Sequence, residues 1–222
     1  QASPTSLAPK DATRDPSRAA EPVTAPRSTK RSGPPSVALL AFDGFTDLDL
    51  FLPWDLLSRV PESQLRVRIV APTPRIRSMH GLEIDVHGDW SEARDADGVF
   101  VVSGPGTPAL IRRPDLAEVL ELAPERQRLA AVDSGAVVLA ALGLLKGLSA
   151  TTYPSPEHHA RLVEYGVQPR TTRWVEHGNI ATAAQCLAGV DLVRWLITAL
   201  VSADVAEAAI ASATALPDEP TP

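Results

Sequence analysis

The chain has 222 residues, 44% of them hydrophobic, and a formal net charge of −6. This is enough apolar sequence for one packed domain, and the acidic charge argues against nucleic acid or an anionic membrane as a partner. No apolar run reaches the roughly 18 to 20 residues of a membrane span. The single cysteine, Cys186, excludes an intramolecular disulfide and a cysteine-based metal site, and we expect a cytoplasmic protein.

Both ends of the chain are predicted to be tails. Residues 1–35 are rich in Pro, Ser, Thr, Ala and Arg and show no apolar periodicity. Such a segment buries too little surface to offset the entropy lost on ordering, so we expect disorder there, with a targeting or docking segment as the alternative. Residues 216–222 are expected to form a second disordered tail. The folded domain is therefore predicted over residues 36–215.

Between the tails, short apolar runs alternate with helical patterns. Strands are predicted at residues 37–42, 65–71, 99–103 and 129–133. Helices are predicted at residues 51–60, 114–122, 135–145, 157–165, 190–200 and 205–213. Hairpins are predicted at residues 75–86 and 174–182. Strands separated by helices indicate an α/β fold with a mostly parallel, doubly wound central sheet.

Three predicted strands are followed by unusual turns, and ligands bind at the carboxyl ends of strands in such sheets. An acidic turn, residues 43–49, follows the first strand. The third strand ends in Ser103-Gly-Pro-Gly-Thr107, which lacks the Lys-Ser/Thr of a P-loop and the spacing of a dinucleotide fingerprint. This segment is either a plain turn or a place where Gly104 and Gly106 line a substrate site and offer backbone amides to a developing negative charge.

The fourth strand ends at Asp133, which is followed by Ser134-Gly-Ala and a helix. One polar residue between a strand and a helix of small residues is the layout of a nucleophile elbow. The elbow residue often has a positive φ, which Asp adopts more readily than most residues. The alternative is that Asp133 or Ser134 simply caps the helix.

Over residues 36–202 the sequence resembles the ThiJ/PfpI superfamily, within the class I glutamine amidotransferase-like fold. The resembling motifs are the first strand and acidic turn, the glycine turn, the elbow with its helix and following strand, and a late loop (residues 37–50, 101–107, 131–152 and 181–191). The resemblance implies a flavodoxin-like three-layer sandwich and a homodimer. Isonitrile hydratases and the ligand-binding-like domains of AraC-type regulators are the nearest branches, but we expect no complete regulator because no helix-turn-helix pair follows residue 215.

The sequence departs from the hydratase branch at the elbow. In that branch an Asp of the first turn lies beside an elbow cysteine that is followed by Thr. By position Asp49 matches this Asp, Asp133 replaces the cysteine and Ser134 replaces the Thr. The family's Thr-Thr-His-Trp motif reads Thr151-Thr-Tyr-Pro154 in this chain, so that Tyr153 stands in place of His. The late glycines of the family are replaced by Ala183-Ala-Gln-Cys186. Chemistry that needs a thiolate at the elbow is therefore not available.

The resemblance places Asp49 and Asp133 together in a partly dry pocket, where two carboxylates resist joint ionisation and share a proton. Our first hypothesis is an enzyme without metal or cofactor that uses this pair for acid/base chemistry, or Asp133 as a nucleophile, on a small molecule. Hydration, epoxide opening, cyclisation and isomerisation, in a biosynthetic pathway for example, fit this chemistry. The amides of Gly104 and Ser134 would stabilise an oxyanion. The alternative is an inactive ligand-binding or regulatory module.

Further candidates for the substrate pocket are Trp54, Tyr153 and Cys186. The two aromatic side chains either line the pocket or pack in the core. For Cys186 the alternative is a small buried thiol. His158 and His159 are adjacent on a predicted helix and point in different directions, so we do not expect them to bind a metal together.

Overall fold

The computed structural model describes residues 33–214. The predicted tails lie outside these residues, apart from residues 33–35. The strands are β1 (Ser36–Leu40), β2 (Arg66–Ala71), β3 (Arg75–Arg77), β4 (Glu83–Asp85), β5 (Gly88–Asp89), β6 (Gly98–Val101), β7 (Arg128–Val132), β8 (Ser149–Thr151), β9 (Gln168–Arg170), β10 (Trp174–His177) and β11 (Ile180–Ala183). The helices are α1 (Asp47–Ser58), α2 (Ser91–Asp95), α3 (Thr107–Leu110), α4 (Leu116–Leu120), α5 (Gly135–Ala141), α6 (Pro156–Glu164), α7 (Gly189–Leu200) and α8 (Ala203–Thr214), with a 3₁₀ turn at Cys186–Ala188.

The central sheet has seven strands in the order β10-β11-β7-β6-β1-β2-β5. Every neighbouring pair is parallel except β10 and β11, which form an antiparallel hairpin. Two small ribbons, β3-β4 and β8-β9, lie outside this sheet. The predicted α/β fold with a mostly parallel sheet is confirmed.

Helices shield the sheet from solvent. Helices α1, α7 and α8 pack on one another, while α3 packs on α5, α5 on α6 and α2 on α4. The inner strands β6 and β7 are almost entirely buried, as expected for parallel strands with helices on both faces. Of the described helices, none has both the length and the apolar character needed to cross a bilayer.

The predicted strands, hairpins and long helices are confirmed, with ends that differ by a few residues. Helix α1 begins at Asp47 rather than at residue 51, and α5 ends at Ala141 rather than at residue 145. Four short elements of two to five residues each were not predicted from the sequence, namely β5, α2, α3 and β9. Such elements contain too few residues for a hydrophobic period to be visible.

The topology brings four chain segments to one edge of the sheet. Strands β11, β7, β6 and β1 are neighbours, and the turns after them meet at their carboxyl ends. The chain runs outward from β1 to β2 and, in the other direction, from β6 to β7, so the strand order reverses between β1 and β6. In open α/β sheets, ligand sites form beside such a reversal.

Candidate active site

Asp133 follows β7 with a φ of 52°, one of two non-glycine residues with positive φ among residues 33–214. Its amide donates to the carbonyl of Ala183 at 2.8 Å, and its carbonyl accepts a hydrogen bond from Oγ1 of Thr152 at 2.8 Å. At Gly135 an added Cβ would lie 2.5 Å from the carbonyl oxygen of Val101, so only glycine fits there. The backbone thus forms a sharp strand-to-helix turn that presents the Asp133 side chain.

The alternative that this turn merely caps α5 has limited support. Ser134 makes no side-chain cap hydrogen bond, although it is the N-cap residue by position. The Asp133 carboxylate accepts a hydrogen bond from one free amide, that of Ser134. The Ser134 side chain therefore does not cap α5. Capping explains only one of the two carboxyl oxygens of Asp133, the one that accepts the hydrogen bond from the Ser134 amide.

Asp49 lies in the first turn of α1 and is only 1% exposed. Its Oδ2 accepts a hydrogen bond from the Ser103 hydroxyl. Its Oδ1 is buried and has no partner of good hydrogen-bond geometry among the described residues, although the Cys186 thiol interacts with the same carboxyl. Burial raises the pKa of Asp49, and the interactions with Ser103 and Cys186 oppose that rise.

The carboxyls of Asp49 and Asp133 are electrostatically coupled. Burial and, after it, the negative charge of Asp49 raise the pKa of Asp133 to about 7, while the hydrogen bond from the Ser134 amide opposes the rise. The hydroxyl of Ser103 and the thiol of Cys186 both lower the pKa of Asp49, whereas Asp133 is assisted only by the Ser134 amide, so the charge is favoured on Asp49 and the proton on Asp133. Asp133 is therefore poised to hold or release a proton near neutral pH.

Cys186 begins the 3₁₀ turn after β11 and is half-buried. Burial, the hydrogen bond with Asp49 and the charges of Asp49 and Asp133 raise its pKa to about 12. The thiol is therefore protonated at neutral pH. It lies beside the two carboxyls but does not line the cavity described next.

A cavity of about 290 Å³ opens in front of Asp133. One wall is apolar and carries Pro105, Pro108, Ile111 and Val137. The rest of the lining comes from the turns after β1, β6 and β7, from α3 and from the segment that begins α6. The polar lining consists of Thr46, Ser103, Thr107, Ser134, Tyr153, Glu157, His158 and Arg161. The volume suits a small, largely apolar molecule whose polar end faces Asp133.

Of the residues expected at the site, Asp133, Ser134, Gly104 and Tyr153 line this cavity. Asp49 lies behind Asp133, coupled to it electrostatically and out of contact with solvent. The structure thus brings together the two predicted carboxylates, but only Asp133 is placed to touch a bound molecule.

Trp54 and Gly106 are not placed as expected. Trp54 stacks on His87 with 4.9 Å between ring centroids and lines a separate groove with Ser36 and Arg66, the first residues of β1 and β2. The cause is the early start of α1, which carries Trp54 two turns away from the carboxyl edge of the sheet. At Gly106 an added Cβ would lie 1.9 Å from the carbonyl oxygen of Asp43, so this glycine permits close packing of two turns instead of lining the cavity.

The backbone amides expected to form an oxyanion site are already engaged. The Gly104 amide donates to the Ser134 hydroxyl at 3.2 Å, and the Ser134 amide donates to the Asp133 carboxylate. The Ser134 hydroxyl also lies 2.9 Å from Oγ1 of Thr107. In this arrangement these amides hold Ser134 and Asp133 in place, which corrects the expectation of two free donors.

Six polar residues of the cavity were not predicted from the sequence, namely Thr46, Ser103, Thr107, Glu157, His158 and Arg161. Ser103 could have been found, because it is the last residue of the third predicted strand. His158 enters through the packing of α6 on α5, which no local pattern reveals; its ring makes an edge contact with Tyr153 at 5.5 Å, and burial lowers its pKa. Within residues 33–214 no group of three or more His, Cys, Asp or Glu side chains is arranged to hold a metal ion.

Comparison with known proteins agrees with this architecture. The model of the DJ-1/PfpI family matches residues 35–199. An isonitrile hydratase from Pseudomonas putida is 29% identical over 172 residues, which cover 77% of this chain and 74% of the hydratase.

Solved structures show the same fold. A ThiJ/PfpI family protein from Pseudomonas syringae superposes with a TM-score of 0.74 at 27% identity, covering 92% of this chain and 86% of that one. An AraC family transcriptional regulator from Pseudomonas putida superposes with a TM-score of 0.71 at 20% identity, covering 82% of this chain and all of the regulator structure, a likeness of fold alone. With its elbow turn, its strand order and the match over residues 35–199, this chain belongs to the DJ-1/PfpI family.

Proposed function

We propose that this chain is an enzyme that adds water to a small, largely apolar molecule by acid/base catalysis at Asp133. The observation that carries the proposal is the position of Asp133 at the elbow that faces the cavity, where burial and the charge of Asp49 raise its pKa to about 7. A group with a pKa near the working pH both gives and takes a proton readily. Asp49 is a positioning residue here, because its buried charge keeps the proton on Asp133.

The proposed reaction needs only Asp133 and water. Asp133 gives its proton to an electron-rich atom of the substrate, and the water oxygen bonds to the carbon that becomes electrophilic. The added water then returns one proton to the Asp133 carboxylate, so the enzyme regains its starting state. For an isonitrile, the terminal carbon takes the proton and then the water oxygen, which gives an N-substituted formimidic acid. Transfer of its hydroxyl proton to nitrogen then yields the N-substituted formamide. Epoxide opening, cyclisation and isomerisation use the same proton transfers.

Support for hydration comes from the 29% identity to an isonitrile hydratase. The proposal differs from thiol chemistry at the elbow, because Asp133 stands at that position and the thiol of Cys186 has its pKa raised to about 12. A carboxylic acid at the elbow favours substrates that protonation activates. Small alkyl isonitriles and epoxides are the first compounds to test.

The test is turnover of such compounds, followed by mass spectrometry as the gain of one water, in the wild type and in Asp133→Asn. We expect Asp133→Asn to lower kcat/KM by at least about 100-fold, since it removes the transferable proton. Asp47→Asn is the matched control, because Asp47 lies on the same helix as Asp49 and pairs instead with His80 at 2.8 Å. Full turnover by Asp133→Asn would overturn the proposal.

The pH dependence gives a second check. The reaction starts from protonated Asp133, so kcat/KM should be high below pH 7 and fall as the pH rises through about 7. An unchanged rate between about pH 5 and about pH 9, two units on either side of the transition, would contradict the role of Asp133 as an acid.

A catalytically inactive ligand-binding or regulatory module is the second candidate. The replacement at the elbow and the engaged amides of Gly104 and Ser134 favour it. Calorimetric binding of a compound that the wild type never converts, unaffected by Asp133→Asn, would favour this candidate over the enzyme.

A further inference from the structure

The loop after β11 places the thiol of Cys186 beside the candidate active site. The 3₁₀ turn at residues 186–188 follows β11, and β11 lies beside β7 through the pairing of Ala183 with Val132. Within the turn, Leu187 is 64% exposed whereas Cys186 is half-buried and faces the carboxyls. Arg173 holds the turn in place, because its guanidinium donates to the carbonyl of Leu187 at 3.0 Å. Cys186 therefore lies at a fixed position beside Asp49.

The Cys186 thiol is placed to stabilise the buried carboxyl of Asp49. One of its oxygens accepts a hydrogen bond from Ser103, and the other is buried without a partner of good geometry among residues 33–214. A buried carboxylate oxygen without a hydrogen bond lowers the free energy of unfolding, so a donor that approaches from Cys186 would stabilise the folded protein. A protonated thiol is a weak donor that can serve it.

We propose that Cys186 is a positioning residue whose thiol donates to Asp49 and thereby keeps the negative charge on Asp49 and the proton on Asp133. This rests on the proposed function of Asp133 as the acid of the site. The titratable groups that act on Asp49 and on the thiol are each other and Asp133. The thiol stays protonated throughout, which distinguishes this role from that of a nucleophile.

The first experiment measures the reactivity of the thiol and needs no substrate. Cys186 is the only cysteine of the chain, so labelling by iodoacetamide reports on it alone. At pH 8 we expect alkylation at least about 100-fold slower than that of free cysteine, because so little thiolate is present. Asp49→Asn should accelerate alkylation at least about tenfold, and the control Asp47→Asn should leave it unchanged. Equal rates in Asp49→Asn and the wild type would overturn the proposal.

The second experiment follows the carboxyl groups by ¹³C NMR titration in two variants. Cys186→Ala removes the donor, so the pKa of Asp49 should rise and the lower titration step of the pair should move up by about half a unit or more. Cys186→Ser keeps a donor and should restore a titration near that of the wild type. A titration unchanged in Cys186→Ala would overturn the proposal.

Turnover measurements distinguish a positioning role of Cys186 from a role as a nucleophile. If Cys186→Ser loses turnover as completely as Cys186→Ala while both titrate like the wild type, the thiol is a nucleophile and the positioning role is wrong. Alkylation and titration as expected, in a protein that converts no substrate, would leave the Cys186–Asp49 interaction intact and contradict only the proposed reaction.

Discussion

At the scale of the residue, the elbow combines two unfavourable features in Asp133. Its φ of 52° is a region that L-residues seldom occupy, and its carboxyl lies in a half-buried site beside the charge of Asp49. Each feature costs folding free energy, and together they present a carboxyl whose pKa is far from its ordinary value. Such a combination is typical of residues kept for function rather than for stability.

The raised pKa of Asp133 predicts that stability falls as the pH rises. The folded protein holds the proton of Asp133 up to about pH 7, whereas the unfolded chain releases it near 3.8. Between these values the unfolded chain binds fewer protons, so the free energy of unfolding decreases with pH. At about 1.4 kcal/mol per pKa unit, the loss amounts to a few kcal/mol.

Asp133→Asn should remove this loss and stabilise the protein at pH 8 by about 2 kcal/mol, since Asn tolerates positive φ and carries no charge. Guanidinium unfolding at pH 5 and pH 8 measures the effect. Asp85→Asn is the control, because the hydrogen bond from Arg75 lowers the pKa of Asp85. Asp85 is therefore ionised in the folded and the unfolded chain between about pH 5 and pH 8, and Asp85→Asn should keep the wild-type slope. A wild-type slope in Asp133→Asn would show that Asp133 is ionised in the folded state.

At the scale of the element, the sequence was sufficient to predict long strands and helices and the residues that lie directly at strand ends. The buried runs of β1, β6 and β7 predicted the parallel strands, and the turns after them predicted the location of Asp49 and Asp133. Trp54 was misplaced because the acidic turn after β1 already contains the first turn of α1. His158 and Arg161 could not be predicted, since their place depends on how α6 packs on α5.

The contact between two turns makes Gly104 a sensitive position. Gly104 has a φ of 148°, and an added Cβ would lie 2.1 Å from the carbonyl oxygen of Gly44, in the turn after β1. Gly104→Ala should therefore lower the free energy of unfolding by more than about 3 kcal/mol, as a clash with rigid backbone does.

Gly143→Ala is the matched control. Gly143 also has a positive φ, 77°, but an added Cβ would meet nothing within 4 Å. Only the backbone strain remains, which costs about 1 kcal/mol. Urea denaturation of both variants measures the difference, and equal losses would contradict the close contact between the turns.

At the scale of the whole molecule, one surface is suited to a second copy of the chain. Leu48, Met79 and Leu82 are large exposed apolar side chains on the start of α1 and the β3-β4 ribbon. The amide of Met79, in the loop between β3 and β4, donates to the carbonyl of Phe45 at 2.8 Å, in the turn that precedes α1, so the three side chains belong to one region. We propose this region as the contact of the expected homodimer.

Sedimentation velocity tests this contact. The wild type should sediment as a dimer, and Leu48→Arg should shift it to a monomer, because two charges would be buried across a symmetric interface. Val163→Arg introduces the same charge at an exposed apolar residue of α6 and should remain dimeric. A monomeric wild type, or a dimer that survives Leu48→Arg, would contradict the proposal.

The anchoring of the elbow backbone has an evolutionary consequence. The amide and the carbonyl of residue 133 are held by Ala183 and Thr152, and the turn is fixed by Gly135, so none of these contacts uses the side chain at position 133. A lineage can therefore exchange the reactive group at this point while the surrounding scaffold stays the same. What the backbone at position 133 asks of a replacement is only that it tolerate a positive φ.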